Sequence, residues 1–295
     1  MQHKKAVNII GWIIATLTTL LYTFTQYPTI SFWDGAEFAT TSSTLQISHP
    51  PGAPFFQLLG SIIPITYLSP LFSGLSVMML YYICVYVLSR FSQMYPGIIT
   101  SSIIGALTFA VLDSQWFCAN ETDVYPLSLL LSLLSIWLTI KWTQTHRVNY
   151  LILICLILGL SLCVHQLTLL SLPAICLIIY FDKRKTNFKG ALLYLFISLL
   201  LIVLIQFLLP IFLIWILSEY AILKIIIFSL ILAFLIVVAY KKSKPILLYT
   251  ILGIIFLIIG LSIYLIVPIR SNAGVPLNQY SPNTANQFKN YYNRE

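Results

Sequence analysis

Long apolar runs alternate with short polar gaps along almost the whole chain. A helix that crosses a bilayer needs about 20 apolar residues, with a range of roughly 17 to 25. Runs of that order occupy 7–26, 71–90, 97–113, 124–142, 149–164, 166–181, 190–209, 219–240 and 246–267. They predict an all-α, polytopic transmembrane bundle of about nine spans. The stretch 149–181 is too long for one span and is divided at His165. The piece 54–69, with Pro64 inside it, would reach only about 24 Å as a helix, short of the roughly 30 Å hydrocarbon core. It is therefore expected to lie along the interface.

The polar gaps carry an orientation. Cytoplasmic loops are enriched in Lys and Arg, and Lys4-Lys5, Arg147, Lys183-Arg184-Lys185-Lys189 and Lys241-Lys242-Lys244 form the basic clusters. With the N-terminus cytoplasmic and 54–69 interfacial, all basic residues fall inside except Lys224, Arg270, Lys289 and Arg294. The first outer loop is then 28–70 and the second 113–123. Asp182 is cytoplasmic, whereas Asp34, Glu37, Asp113, Glu121, Asp123, Glu219 and Glu295 lie outside or at the outer edge. Acidic residues contribute little to topology, so their one-sidedness calls for a functional cause. Residues 1–267 read as the membrane module. From 268 to 295, Ser, Asn, Gln, Pro and Tyr replace Ile and Leu, and a polar non-cytoplasmic segment begins.

Composition removes several classes of function. Hydrophobic residues make up 59% of the 295, and charged residues 8%, against about a quarter in soluble domains. A water-soluble globule is excluded, and the brief basic clusters between apolar runs argue against nucleic-acid binding. Cys84, Cys118, Cys155, Cys163 and Cys176 show neither a disulfide framework nor metal-ligand spacing. The chain lacks a glycine-rich nucleotide loop and an HExxH motif, so a nucleotide-bound donor has no evident cradle.

Chemistry concentrates in the outer segments. Asp34 and Glu37 are three residues apart, which puts both carboxylates on one face of a helical turn. They can act as a general base in a partly dry site, or serve as helix-start or solvent-facing acids. His49-Pro50-Pro51-Gly52-Ala53-Pro54 forms a rigid turn expected to pin the acidic loop at the start of the interfacial helix. Glu121 and Asp123, with Tyr125 beside them, can bind a divalent cation or orient an acceptor. His165 is either a structural residue or a donor to phosphate. Arg270 is either an interfacial anchor or a phosphate ligand.

FWDGAEF at 32–38, HPPGAP at 49–54, NETDVYPLS at 120–128, GLSLCVHQL at 159–167 and PIRSNAGVPLN at 268–278 together resemble the GT-C superfamily of membrane glycosyltransferases. They are most similar to the domain-of-unknown-function 2723 family, grouped as glycosyltransferase family 117, whose animal members resemble protein O-mannosyltransferases. The resemblance implies a GT-C-type helical bundle and a polyprenyl- or dolichyl-phosphate sugar, such as mannose, as donor. It implies transfer to a protein Ser/Thr or other hydroxyl on the non-cytoplasmic face, with a divalent cation admitted but not indicated. The membrane would be the cytoplasmic membrane in a bacterium or the endoplasmic reticulum in a eukaryote. Asp34 becomes the catalytic base and Glu37 its assistant. His49, Glu121, Asp123 and Tyr125 count among the substrate-binding residues, and His165 and Arg270 hold the donor phosphate. Two departures stand out: Asp123 replaces a usual glutamate, and Gly35-Ala36 replaces a common Cys-Gly. The chain also stops ahead of the further spans and soluble outer region usual in the family, which implies an N-terminal unit. A transporter or flippase and a non-catalytic membrane scaffold are the competing readings. The first is weakened by the scarcity of ionisable residues in mid-span.

Overall fold

The computed structural model describes residues 2–29, 33–183 and 187–295. Phe32 of the first motif and the Arg184-Lys185 part of a basic cluster lie outside the described residues. Among the described residues the chain is all-helical, with no strand and one isolated bridge between Ile47 and Asn278. The helices are α1 (Gln2–Thr25), α2 (Asp34–Ser43), α3 (Pro54–Gly60), α4 (Leu68–Leu88), α5 (Tyr95–Ala110), α6 (Asp113–Asn120) and α7 (Tyr125–Thr145). They continue as α8 (Val148–Leu162), α9 (Leu172–Lys183), α10 (Phe188–Leu217), α11 (Ala221–Lys241), α12 (Pro245–Leu261), α13 (Ile266–Asn272) and α14 (Ala285–Asn293).

Among the described residues, six helical stretches are long and apolar enough to cross a membrane, and a seventh if α5 and α6, bent by 62°, form one span. This is a membrane protein, with lipid as the solvent for side chains such as those of α11, whose apolar window is wholly unburied. Each of the nine predicted runs corresponds to a helix, but α8 and the stretch 166–182 are shorter apolar helices. The ends moved as well. Residues 65–69, expected in the interfacial piece, belong to the span Ile65–Leu88, and only Pro54–Gly60 forms a separate helix. Residues 113–120, expected as loop, form α6. The run 190–209 is part of a 30-residue helix that passes through Pro210. In lipid an open backbone costs more than the single hydrogen bond a proline removes, so the helix continues.

The chain folds as two compact units, one of residues 1–45 and 56–137, the other of 46–55 and 138–295. In the first, α1 lies on α4 around Ile14, Ala15, Tyr22, Val77, Met78 and Tyr81. Gly74 sets the spacing: a Cβ there would fall 2.1 Å from Thr19 Oγ1 and 2.9 Å from the Ala15 carbonyl oxygen. Tyr22 donates its hydroxyl to the Ala110 carbonyl at 2.7 Å, tying α1 to α5. In the second unit α8 packs on α12 and α9 on α10. Lys224, one of the basic residues assigned to the outer side, donates to the Trp215 carbonyl at 3.0 Å and to Ser218. It also sits over the Trp215 ring, 5.2 Å from its centroid. Its charge closes the C-terminal end of α10, where a cation is favoured.

Candidate functional site

The first unit builds an acidic centre from the start of α2. Phe38, Thr41 and Ser42 recur at helical spacing and are buried. Phe38 meets Phe56 edge-on at 5.6 Å, and Gln57 donates to Thr41 Oγ1 at 2.7 Å. Gly60 completes the seat, since a Cβ there would lie 2.8 Å from Ser42 Cβ. This face fixes the helix, and its first turn carries Asp34 and Glu37. The predicted shared face is present: a carboxylate oxygen of each residue lies within 4.8 Å of the other's. Asp34 is exposed and Glu37 half-buried. The turn is entered through Trp33 at φ 68°, a conformation costly for a bulky residue and commonest where geometry serves a site.

The second acidic pair stands in the loop between α6 and α7, where the chain is extended at Glu121. Ser69, in the first turn of α4, holds it. The Asp123 N–H donates to Ser69 Oγ at 3.1 Å, and that hydroxyl donates to the Asp123 carbonyl at 3.2 Å. The Val124 N–H donates to the Asp123 carboxylate. α2 contacts the 3₁₀ turn Ile65–Tyr67 that leads into α4. The N-terminal end of α4 therefore supports both acidic segments. Burial raises the Asp123 pKa most; the Val124 and Tyr125 N–H groups pull it back, and the charge of Asp34 adds to the rise. Burial also raises Glu121, with the Asp123 charge second. Asp34 is thus near enough for its charge to be felt at Asp123, and Tyr125 opens α7 beside them. The first unit brings together Asp34, Glu37, Glu121, Asp123 and Tyr125.

His49, His165 and Arg270 belong to the second unit. The turn at 49–54 was expected to pin the acidic loop. Within the second unit it is held by side chains from the far end of the sequence. Tyr264 donates to the Pro51 carbonyl at 3.1 Å and Tyr291 to the Ser48 carbonyl at 3.0 Å. Gly52 has φ 80°, and a Cβ on it would meet the Tyr291 hydroxyl at 2.3 Å, so both backbone and space require glycine. The Phe55 N–H donates to the Cys163 carbonyl at 3.0 Å, which joins the turn to the chain just before His165. His165 begins a 3₁₀ turn, and its Nδ1 accepts the Leu167 N–H at 3.2 Å. In the neutral ring the proton then resides on Nε2. Burial, with the Arg294 charge second, lowers the His165 pKa. Arg270 lies in the last turn of α13, partly buried.

Four residues of this neighbourhood escaped the sequence reading: Tyr264, Tyr291, Tyr292 and Arg294. Phe288 and Tyr291, buried at i and i+3 on α14, seat the helix. That i, i+3 pair was the one available signal, in a stretch whose Asn and Gln content otherwise reads as loop. The Tyr292 ring lies tilted against that of Tyr264, centroids 5.5 Å apart, and Gln166 is its hydrogen-bond partner. α14 therefore puts an aromatic wall and a cation beside His165.

The model of the family described as "Protein O-mannosyl-transferase TMEM260 N-terminal domain" matches residues 34–188, more than half of the chain. The chain belongs to this family. The matched range opens on Asp34 and contains every predicted site residue except Arg270. A stretch of 44 residues is 41% identical to the protein O-mannosyl-transferase tmem260 of Dictyostelium discoideum; it covers 15% of this chain and 5% of that protein's length. No solved structure matches the chain.

Proposed function

We propose that this TMEM260-family chain is the membrane module of a GT-C-type glycosyltransferase. It moves a hexose, mannose in the simplest case, from a polyprenyl-phosphate donor to a protein Ser/Thr hydroxyl. The observation that carries this reading is the pair of carboxylates converging at the first turn of α2, where the family match begins. The acceptor oxygen attacks the anomeric carbon while the bond from that carbon to the phosphate oxygen breaks. The electron pair leaves with the phosphate, the sugar inverts, and the hydroxyl proton passes to the Asp34 carboxylate. Glu37, on the same turn, assists by accepting a hydrogen bond from a backbone N–H of the acceptor and orienting it. Glu121, Asp123, Tyr125 and His49 shape the binding of substrate. His165 donates through a ring N–H, and Arg270 offers a planar fork of donors matched to phosphate oxygens. Stabilising charge that develops on the leaving phosphate lowers the barrier.

In this reading residues 1–267 form nine spans, counting the bent pair and the two short apolar helices. The N-terminus is cytoplasmic, and residues 268–295 begin a non-cytoplasmic segment. A carboxylate removes the proton, and cationic or N–H donors meet the phosphate. The deciding assay supplies labelled polyprenyl-phosphate mannose and acceptor protein to membranes carrying the chain. Asp34→Asn should reduce transfer by about 10²–10⁴-fold, the usual worth of a general base, while insertion is unchanged. Undiminished transfer by that variant would remove Asp34 as the base. No transfer by the unaltered chain above control membranes would remove the reading itself.

A further inference from the structure

The second unit contains an apolar crevice that the transfer reaction does not use. α8 and α12 run side by side in the same direction. Gly159 and Gly260 let their backbones touch: a Cβ on Gly159 would fall 2.1 Å from the Leu257 carbonyl oxygen, and one on Gly260 2.5 Å from that of Leu156. One to two turns earlier the contact is looser, with Gly253 facing only the Cys155 sulfur at 3.1 Å. Toward their N-terminal ends the two helices leave between them a crevice of about 570 Å³. Trp142, Leu151, Cys155, Tyr249 and Ile254 line it, with His146 near the helix starts. Tyr249 and Ile254 are 42% and 48% exposed, so the crevice opens sideways from the helix pair.

Its dimensions and its charge select an occupant. From Ile246 to Leu257 the helix rises about 16 Å, which is one leaflet of a hydrocarbon core of roughly 30 Å. The mouth lies where α8 and α12 begin, at Arg147 and Lys244, with Lys241 and Lys242 just before. All four are exposed. Asp182, the acid of this region, lies beside His146, 3.9 Å from its Nδ1. His165 and Arg270 follow the opposite ends of α8 and α12, so this mouth is separate from the residues assigned to the donor phosphate.

We infer that the crevice between α8 and α12 is a binding site for an anionic phospholipid, one acyl chain in the groove and the phosphate at Arg147 and Lys244. The apolar wall matches a leaflet-long chain, the aromatic rings flank it, and guanidinium and ammonium groups meet the phosphate. The inference is independent of the glycosyltransferase reading. It is tested on the purified full chain by native mass spectrometry, with phosphatidylglycerol and phosphatidylcholine of identical acyl chains. The anionic lipid should be retained at least about fivefold better, as expected from two juxtamembrane cations. Arg147→Gln with Lys244→Gln, both at exposed positions, should erase that preference with helicity unchanged. Thr250→Trp, filling the groove, should lower retention of both lipids. Equal retention of the two lipids by the unaltered chain would overturn the inference, as would a preference that survives the double substitution. Displacement of phosphatidylglycerol by an equal amount of polyprenyl phosphate would overturn the choice of occupant.

Discussion

The two units handle charge in opposite ways. In the first, acids gather: Asp34 and Glu37 on one helical turn, with Asp123 on a loop held by Ser69. In the second, the corresponding groups are neutral or cationic: His165, Arg270, Arg294 and a set of tyrosines around a proline-rich turn. Carboxylates accept protons and repel phosphate, whereas guanidinium and imidazole N–H groups do the reverse. A transfer from a phosphate leaving group to a hydroxyl needs both environments. The way each is held also differs. Asp34 and Glu37 stand on a short helix and Asp123 half-buried on a loop, while the turn of the second unit is fixed by buried aromatics.

The largest effect is expected where that aromatic support is removed. Phe288 is fully buried and meets Tyr264 edge-on at 6.2 Å. Phe288→Ala should cost about 3–5 kcal/mol, as for buried aromatics elsewhere, and free α14 from the turn. Protease protection of the C-terminal segment in membranes measures it. A variant as protected as the parent would mean that α14 does not brace the second unit.

Next comes Arg270→Ala. If Arg270 meets the donor phosphate, losing a charge-assisted contact worth about 1.5–3 kcal/mol should raise the apparent KM for the lipid donor more than it lowers kcat. An anchor role would instead change protein level in the membrane and leave the donor KM alone. The corresponding change in the acidic unit, Glu37→Gln, should leave donor KM unaltered and lower kcat. A swap of these two signatures would dissolve the contrast between the units.

Parts of this contrast could be read from the chain itself. Nine apolar runs announced the helices because lipid exposure demands uniform hydropathy, and the spacing of Asp34 and Glu37 announced a shared face. Helix ends were less legible. The polar start of α6, Asp113-Ser114-Gln115, reads as loop although the helix resumes there after a 62° bend, and α10 passes through Pro210. Long-range partners were not legible at all: Ser69 holds a loop 54 residues away, and Tyr291 bonds a carbonyl 243 residues earlier. Hydroxyl-to-backbone bonds of that kind leave no periodic trace, because any backbone carbonyl or N–H offers the same partner.

A smaller effect separates the two histidine readings. His165 has a lowered pKa in the folded chain, through burial and then Arg294. Above the ordinary histidine value of about 6.5 the ring is neutral whether folded or not, and it contributes nothing to pH dependence. Stability should fall as pH drops from there toward the lowered folded value, because the unfolded chain takes up the proton first. In His165→Gln this part of the decline should vanish. Melting scans of the parent and variant between pH 7 and 5 would measure it, and parallel curves would refute a buried neutral imidazole.

The smallest effect lies on the acidic side and carries the opposite sign. Asp123 has a raised pKa, so folding disfavours its charged form. At neutral pH the carboxylate is ionised in the unfolded chain and carries a penalty in the folded one. Replacement by Asn removes that penalty, while the side-chain oxygen can still accept the Val124 N–H. Asp123→Asn should therefore raise the melting temperature by a few degrees near pH 7, for a change of under about 1 kcal/mol. As pH falls below the ordinary Asp value of about 3.9, both states of the parent become neutral and the advantage should disappear. If the same variant also loses transfer activity, Asp123 is retained for substrate at the expense of stability, as functional carboxylates often are. If it gains stability and keeps full activity, the acidic centre narrows to Asp34, Glu37 and Glu121.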